Sequence, residues 1–216
     1  MVKFNKKLVL LHGYNKNKKD MYVLRDNLAD LNYDVKLAEL PLLFRSVKYC
    51  TDIFAEELKE ITADLNSREK ISLVGHSTGG IVIRKAIKDP AVKAHIDRCV
   101  LIAVPHRGSK LADKAAKISK IFVNIFKPVK SITTENIKEM NLKIPPDIEI
   151  GAIAGSKSNL FLGRLLKEEN DGRIRVDSVR YEDLKDFKVL PYGHKEIHYK
   201  LETAQLIDKF LREGSF

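Results

Sequence analysis

The segment from residue 71 to residue 87 constrains the fold of this chain more than any other. It begins with the apolar run ISLV, continues with the hexapeptide GHSTGG and ends in a helical pattern from Ile81 to Ile87. Glycines before and after a serine let the backbone turn sharply between two elements without Cβ clashes. We therefore predict a buried strand, a tight turn that holds Ser77, and a helix whose positive N-terminal end lies beside the serine.

Apolar runs and helical patterns alternate along the rest of the chain. Short apolar runs predict strands at residues 7–11, 33–40, 98–104, 147–154 and 187–190, and amphipathic patterns predict helices at 20–31, 51–65 and 196–211. Strands separated by such helices form βαβ units, in which the strands run parallel and helices cover both faces of the sheet. A length of 216 residues suits one such domain. The prediction is a single α/β domain over residues 1–216, with a mostly parallel sheet of about six strands.

Residues 109–146 interrupt this alternation, because they carry a helical pattern but no convincing strand. An insertion of that size between two strands is usually functional. Its apolar residues fall on one helical face: Leu111, Ala115, Ile118, Ile121, Phe122, Ile125 and Phe126. Either the segment packs this face on the core as a surface helix, or it forms a mobile lid or touches a membrane surface. If the segment is a lid over the site, Phe122 and Phe126 are possible pocket-lining residues.

The charge of the chain favours no nucleic-acid function. Lys and Arg number 39 against 29 Asp and Glu, which gives a net charge of +10. No zinc-finger spacing, arginine-rich arm or basic strand with interleaved aromatic residues accompanies this charge, so a lysine-rich solvated surface is the simpler interpretation. Weak contact with an anionic membrane stays open as an alternative.

Cofactors and export signals also find no support in the sequence. Cys50 and Cys99 match no metal or redox spacing and are expected as free buried thiols in a reducing compartment. No metal-ligand cluster or dinucleotide fingerprint is present, so neither a metal nor a cofactor is expected. No apolar run reaches the length of a membrane span or a signal peptide, and a cytoplasmic location is expected.

Four segments resemble the α/β-hydrolase family in its lipase and esterase branch. They are LVLLHGY from residue 8, ISLVGHSTGG from residue 71, LIAVPHRGS from residue 101, and NDGRIRVDSVR together with LPYGH near the end. The chain is similar to compact bacterial lipase-like hydrolases and to GPI-inositol-deacylase-like proteins. The resemblance implies a minimal α/β-hydrolase fold without the two leading antiparallel strands of larger members. It also implies a serine hydrolase that cleaves carboxylic esters of an acyl substrate.

The same resemblance assigns roles to the two glycine-rich turns. It makes Ser77 the nucleophile, and the backbone N–H groups of Tyr14 and Thr78 become the donors of an oxyanion hole. The remaining turn residues are expected to support the two turns: His12, Gly13, Gly75, His76 and Gly79.

The resemblance also implies a Ser-His-Asp catalytic triad, and its acid is expected to be Asp171. Asp147 begins a strand and so lies at the wrong end of a parallel sheet, where sites form at the carboxyl ends. Asp171 stands in an Asn-Asp-Gly turn, the kind of turn in which the family's acid commonly lies. A purely local Asx-turn at Asp171 is one alternative, and Asp177 or Glu169 as the acid is another.

The base is expected to be His194, which follows the last strand and precedes the last helix. The family's base resides in this loop, and the order serine, acid, histidine is that of the family. His198, four residues further on, is the alternative. His106, in the loop after the third buried strand, either lines the pocket or bonds only to backbone.

Two other functions compete with a carboxylic-ester hydrolase. One is a phospholipase or acyl-thioesterase at an anionic membrane, favoured by the lysine-flanked apolar face at 118–126. The other is a catalytically silent hydrolase-fold module that binds lipid or a protein partner. The complete set of Ser77, Asp171 and His194 argues against the silent module, because binding alone does not require all three.

Overall fold

A sheet of six parallel strands forms the centre of the molecule. The computed structural model describes residues 6–66, 69–143, 145–158 and 161–216. The strands lie in the order β2-β1-β3-β4-β5-β6. They are β1 (Lys6–Leu11), β2 (Tyr33–Ala38), β3 (Ile71–His76), β4 (Ile96–Ile102), β5 (Glu149–Gly155) and β6 (Asp186–Leu190). The predicted α/β class is confirmed, and all five strand pairings are parallel.

The α-helices of the described residues lie between these strands along the chain, except for the last, which follows β6. They are α1 (Tyr22–Asp30), α2 (Val47–Thr62), α3 (Thr78–Ala86), α4 (Pro90–Lys93), α5 (Lys110–Ile118), α6 (Lys120–Ile125), α7 (Lys127–Ser131), α8 (Thr134–Met140), α9 (Val176–Val179) and α10 (Leu201–Glu213). Short 3-10 turns occupy Lys18–Met21, Phe161–Leu165 and Ile197–Tyr199. None of these helices is long and apolar enough to cross a lipid bilayer.

Helices cover both faces of the sheet because its strands are apolar on both sides. Successive strand side chains point to opposite faces. In β1, Leu8 and Leu10 belong to the core shared with α1 and α10, whereas Val9 and Leu11 belong to the core shared with α2 and α3. All four side chains are buried. The two layers of helices leave the carboxyl edge of the strands free for the loops that build a site.

Four helix starts differ from the predicted ones, each for a local reason. Helix α1 begins at Tyr22, because residues 18–21 form a 3-10 turn that the Asn17 side chain caps. Helix α2 begins at Val47, because the Ser46 side chain accepts the Tyr49 N–H and caps it. Helix α3 begins at residue 78, directly after the turn. Helix α10 begins at residue 201, since residues 197–199 form a 3-10 turn whose Ile197 carbonyl accepts the Thr203 hydroxyl.

The predicted insertion is helical but interrupted, since it contains α5 to α8. Ser119 ends α5 and caps α6, where its hydroxyl accepts the Phe122 N–H. The apolar face is not packed on the core as a whole, because Ile118, Ile121 and Ile125 are 85%, 75% and 53% exposed. Of the predicted segment 109–146, residue 144 lies outside the described residues.

Candidate active site

Ser77 lies in the turn between β3 and α3. Its backbone has φ +52° and ψ −127°, a combination that residues with a Cβ rarely adopt. A Cβ at Gly75 would lie 2.8 Å from the Gly80 Cα, and one at Gly79 would lie 2.3 Å from the His12 carbonyl oxygen. The turn therefore requires glycine at both positions, and it places Ser77 at the N-terminal end of α3.

The turn after β1 packs against Ser77. A Cβ at Gly13 would lie 2.9 Å from the Ser77 Cβ. His12 Nε2 accepts the Leu40 N–H at 3.1 Å, which leaves its Nδ1–H to donate to the Gly13 carbonyl at 2.9 Å. Burial lowers the pKa of His12, so the ring stays neutral and keeps both hydrogen bonds. These bonds hold the turn beside the serine.

Three side chains from distant parts of the chain meet at this edge of the sheet. Ser77 Oγ lies 3.0 Å from His194 Nε2, and His194 Nδ1 lies 2.7 Å from Asp171 Oδ2. All three residues are buried. Their loops follow β3, β6 and β5, so the parallel sheet brings together the residues that were expected as nucleophile, base and acid.

The Asp171 carboxylate is oriented by its own turn. Its Oδ1 accepts the N–H groups of Arg173 and Ile174 at 2.9 and 2.8 Å, while Oδ2 faces the imidazole. The backbone N–H of His194 donates to the Asp171 carbonyl at 2.8 Å, which ties the two loops together. A Cβ at Gly155, the last residue of β5, would lie 2.8 Å from the Asp171 Cβ. The local Asx-turn is thus present together with the contact to His194.

The alternative acids and the alternative base lie elsewhere. Asp177 is exposed and pairs with Arg175 at 2.8 Å. Glu169 is exposed too, and its backbone carbonyl accepts the Val176 N–H. His198 is fully buried and lies against a different carboxylate, described below.

Two backbone N–H groups beside Ser77 are free to bind an anion. Within the described residues, the N–H groups of Tyr14 and Thr78 have no hydrogen-bond acceptor. Thr78 is the first residue of α3, and the first N–H groups of a helix have no partner within it. Tyr14 follows the His12–Gly13 turn and lines the same cleft as Ser77. These are the two donors that the resemblance implied.

The cleft over Ser77 is small and positively charged. It encloses only about 10 Å³ and is lined by Gly13, Tyr14, Lys16, His76, Ser77, Arg173, His194 and Lys195. Three of these residues carry a positive charge, and none of the described lining residues is a carboxylate. These three cations were not predicted from the sequence, because single charged residues in loops carry no recognisable pattern.

The other expected lining residues lie away from this cleft. Phe122 and Phe126 pack against each other in the insertion, with ring centroids 4.7 Å apart, and Phe126 stacks on Phe44. His106 is buried and lines a separate cavity. In the described conformation neither the phenylalanines nor His106 line the space over Ser77.

A second buried histidine–carboxylate pair lies close to the first. His198 Nε2 is 3.2 Å from Asp20 Oδ2, and Asp20 Oδ1 accepts from the Lys16 ammonium and the Tyr199 hydroxyl, both at 2.5 Å. Burial would raise the pKa of the Asp20 carboxyl, but the contacts with His198, Lys16 and Tyr199 outweigh it and hold that pKa well below its usual value. The carboxylate is therefore ionised and compensated by a cation. From the sequence pattern alone, Asp20 is expected only at the start of a helix.

His76 connects the two pairs. Its ring centroid lies 4.1 Å from that of His198 and 4.9 Å from that of His194. Its Nε2–H donates to the His194 backbone carbonyl at 3.1 Å. Burial and the neighbouring histidines lower the pKa of His76 well below its usual value, so the ring is neutral. His76 thus holds the loop of His194 in place.

Asp20, His76 and His198 form a group of possible metal ligands. Within the described residues, one donor atom from each lies within 4.8 Å of the other two. The Lys16 ammonium already supplies positive charge to Asp20, and a cation beside a metal ion is unfavourable. We therefore interpret the group as a buried ion-pair network.

Comparison with known families shows what the chain is related to. Residues 3–143, more than half of the chain, match the family described as "Putative serine esterase (DUF676)". The chain belongs to this family. The matched segment of this serine esterase family includes Ser77 and ends before Asp171 and His194. No curated protein matches the chain.

Solved structures of several hydrolases are similar to this member of the family. Lipase BlEst2 of Bacillus licheniformis, in its propeptide form, has a TM-score of 0.85 at 21% identity and covers 96% of this chain and 50% of its own. A metagenomic carboxyl esterase has a TM-score of 0.81 at 15% identity, and the match covers 99% of this chain and 77% of the esterase. Phospholipase PlaB from Legionella pneumophila has a TM-score of 0.72 at 16% identity, and the match covers 98% of this chain and 60% of the phospholipase. At these identities the likeness shows the α/β-hydrolase fold, and the chain spans about half the length of the first of these proteins.

Proposed function

We propose that this member of the serine esterase family hydrolyses carboxylic esters through an acyl-enzyme on Ser77. The observation that carries the proposal is the chain of contacts from Ser77 Oγ to His194 Nε2 at 3.0 Å and from His194 Nδ1 to Asp171 Oδ2 at 2.7 Å. A serine hydroxyl is a weak nucleophile at neutral pH and needs a base within hydrogen-bond reach. The family match and the lipase and esterase neighbours support the same reaction class.

In the proposed reaction His194 moves the proton. It accepts the Ser77 hydroxyl proton as Oγ attacks the ester carbonyl, and it then protonates the leaving alcohol. Asp171 keeps hydrogen on Nδ1, so that Nε2 faces the serine, and it stabilises the imidazolium that forms. A water molecule, deprotonated by His194, next attacks the acyl carbonyl and releases the carboxylic acid and free Ser77.

The backbone donors of Tyr14 and Thr78 would bind the tetrahedral oxyanion. Their N–H groups are free and flank Ser77, and the positive end of α3 adds to the field at this point. Loss of one such donor in a well-studied serine protease raises the barrier by about 3–4 kcal/mol. No metal ion or cofactor takes part in the proposed mechanism.

A fluorophosphonate probe tests whether Ser77 is an activated nucleophile. We expect the probe to label the purified chain at Ser77, because a serine with its base in place attacks phosphorus rapidly. Ser77→Ala, which lacks the hydroxyl, should remain unlabelled. A series of p-nitrophenyl esters of increasing chain length, with Ser77→Ala as control, then gives the acyl preference. Absence of labelling in the folded chain would favour a silent binding module.

A phospholipase or acyl-thioesterase at an anionic membrane is the second candidate function. The observation in its favour is the exposed apolar face of the insertion, which carries Ile118, Ile121 and Ile125. Lysines accompany this face in the sequence at positions 114, 117, 120, 127 and 130. Exposed apolar side chains with neighbouring lysines are typical of segments that lie in an anionic lipid interface.

Phe122→Asp separates a lid or membrane segment from a passive surface helix. Phe122 is 41% exposed, so an aspartate there should leave the melting temperature nearly unchanged and reduce activity on long-chain esters by roughly tenfold, with short esters spared. Val23→Asp, at a position 46% exposed in α1, is the matched control. Flotation with phosphatidylglycerol and phosphatidylcholine vesicles measures membrane binding directly. A uniform loss of activity together with a large fall in melting temperature would contradict the lid.

A further inference from the structure

A second cavity, distinct from the cleft at Ser77, lies between the insertion and the loop after β4. It encloses about 460 Å³, within the range of roughly 300–1,000 Å³ typical of small-ligand sites. We call it the basic cavity. It is lined by the loop 106–108, the start of α5, α8 with the residues after it, and α9. Its charged lining residues are five cations and one carboxylate: Arg107, Lys110, Lys138, Lys143, Arg175 and Asp183.

The wall of the basic cavity carries a buried donor with no acceptor. Arg84 Nη1 lies 2.9 Å from His106 Nδ1, and a guanidinium only donates, so Nδ1 is the acceptor and the proton of the neutral ring is on Nε2. His106 is 5% exposed, and its Nε2 has no hydrogen-bond partner among the described residues. Packing against Tyr181, at 4.2 Å between ring centroids, fixes the ring. An unpaired buried N–H is costly, which indicates that an acceptor belongs there.

His106 stays neutral in this position. Burial and the neighbouring Arg84 charge lower its pKa well below the usual value. At neutral pH the ring therefore remains a donor at Nε2 and an acceptor at Nδ1. Arg84 in turn is fixed by a hydrogen bond to the Leu142 carbonyl and by its position over the Tyr181 ring.

The cations around His106 are only partly neutralised by the protein. Arg175 pairs with Glu168 and Asp177, both at 2.8 Å, but its Nε–H is buried without an acceptor among the described residues. Lys138 and Lys143 take part in no ion pair within the described part of the chain. The basic cavity thus combines unneutralised positive charge with buried N–H donors.

We propose that the basic cavity is a binding site for a phosphate or phosphoryl group. A phosphate monoester carries close to two negative charges and three free acceptor oxygens, and the phosphodiester of a lipid headgroup carries one charge and two such oxygens. The phosphoryl group would accept from His106 Nε2 and Arg175 Nε while Lys138 and Lys143 balance its charge, and charge-assisted bonds of this kind are the strong ones. The group belongs either to a soluble phosphate compound or to a lipid headgroup. The site is independent of the proposed ester hydrolysis, because none of these four residues touches Ser77, His194 or Asp171.

Calorimetric titration of the full chain with inorganic phosphate, at constant ionic strength, tests this site. We expect the double variant Lys138→Gln/Lys143→Gln to raise the phosphate Kd at least about tenfold, because it removes the two unpaired cations. The double variant Lys188→Gln/Lys209→Gln removes the same charge on β6 and α10 and should leave the Kd within about twofold of the unmodified chain. Flotation with phosphatidylglycerol and phosphatidylcholine vesicles forms the second arm and tells a lipid headgroup from a soluble ligand.

His106→Asn tests the buried donor itself. Asparagine keeps a polar acceptor near the Nδ1 position for Arg84 and removes the Nε2–H, so phosphate should bind roughly tenfold more weakly. Should this variant fail to fold, the ¹⁵N shift of His106 Nε2 in the unmodified chain gives the same information, since it should move on phosphate addition. The proposal is overturned if neither phosphate nor phosphatidylglycerol binds the unmodified chain, or if the Lys138/Lys143 double variant binds them equally well.

Discussion

Two buried histidine–aspartate pairs lie side by side in this protein, and only one of them faces a serine hydroxyl. His194 Nδ1 lies 2.7 Å from Asp171 Oδ2, and His198 Nε2 lies 3.2 Å from Asp20 Oδ2. The remaining nitrogen of His194 lies 3.0 Å from Ser77 Oγ. Neither ring nitrogen of His198 has a hydrogen-bond partner among the described residues, so its approach to Asp20 is a contact by distance alone.

The two carboxylates also differ in their second oxygen. Asp171 Oδ1 accepts from two neutral backbone N–H groups, whereas Asp20 Oδ1 accepts from the Lys16 ammonium and the Tyr199 hydroxyl. The negative charge of Asp171 is therefore directed to one imidazole, while that of Asp20 is shared with a lysine. A buried His–Asp pair supports base catalysis only where the ring reaches a nucleophile and no second cation neutralises the acid.

Removal of each histidine in turn should give the largest difference in kcat between the two pairs. We expect Ser77→Ala and His194→Ala each to lower kcat by roughly 10⁶-fold, the scale seen when the serine or the histidine is removed from the triad of a serine protease. His198→Ala should change kcat less than about tenfold in the folded protein, because His198 does not touch Ser77. Steady-state kinetics on p-nitrophenyl butyrate measure all three. An equally severe loss in His198→Ala would show that the comparison is wrong.

Removal of the acid should have the next largest effect. Asp171→Asn is expected to keep the fold and to lower kcat by roughly 10⁴-fold, as the same change does in another triad, because asparagine favours the wrong imidazole tautomer. Asp177→Asn, six residues away and exposed, is the matched control and should change kcat little. The reverse result would move the acid to Asp177 and leave the role of Ser77 intact.

Asp20→Asn should affect stability instead of chemistry. Loss of the Asp20 charge should lower the free energy of unfolding by about 1–3 kcal/mol, because the Lys16 ammonium and the Tyr199 hydroxyl lose their charged acceptor. Asp52→Asn removes an exposed partner of Lys48 and should cost at most about 1 kcal/mol. Urea unfolding of both variants gives the two values. A fully stable Asp20→Asn protein with impaired turnover would instead place Asp20 in the reaction.

The smallest expected effect is the pH dependence of the stability difference between the unmodified chain and Asp20→Asn. The pKa of Asp20 is lowered in the folded protein, so its contribution to stability is present above its unfolded pKa of about 3.9 and is lost as the pH falls toward the lower folded value. The melting-temperature difference between the unmodified chain and Asp20→Asn should be constant from pH 7 to about pH 5 and shrink below about pH 4. Calorimetric scans across this range measure it, and a difference that grew with acid would contradict the ion pair.

The sequence was sufficient to predict the α/β architecture and the two side chains, Asp171 and His194, that meet at Ser77. Continuous apolar runs predict strands buried on both faces, and a turn such as GHSTGG admits few backbone paths. Because all strands are parallel, loops that follow β3, β5 and β6 must meet at one edge. That constraint brings Asp171 and His194 to Ser77 from about 94 and 117 residues further along the chain.

The parts that could not be predicted depend on contacts between single side chains. Nothing in the segment from Lys16 to Asp20 indicates that it faces a histidine from the last loop, because one lysine–aspartate spacing is common on protein surfaces. The contacts of the insertion were even less predictable from the sequence. Periodicity shows that Ile118 and Ile121 share a face, but it does not tell what that face contacts, and in the structure both are exposed.

The strained backbone of Ser77 has a consequence for selection experiments. A residue with a Cβ at φ +52° is destabilised by about 1–3 kcal/mol, and glycine at the same place is not. Ser77→Gly should thus abolish activity and make the chain harder to unfold, whereas Ser77→Ala keeps the Cβ and with it the strain. A screen that rewards heat resistance alone would therefore enrich inactive proteins at this position, and any thermostabilisation of this enzyme has to hold residue 77 fixed.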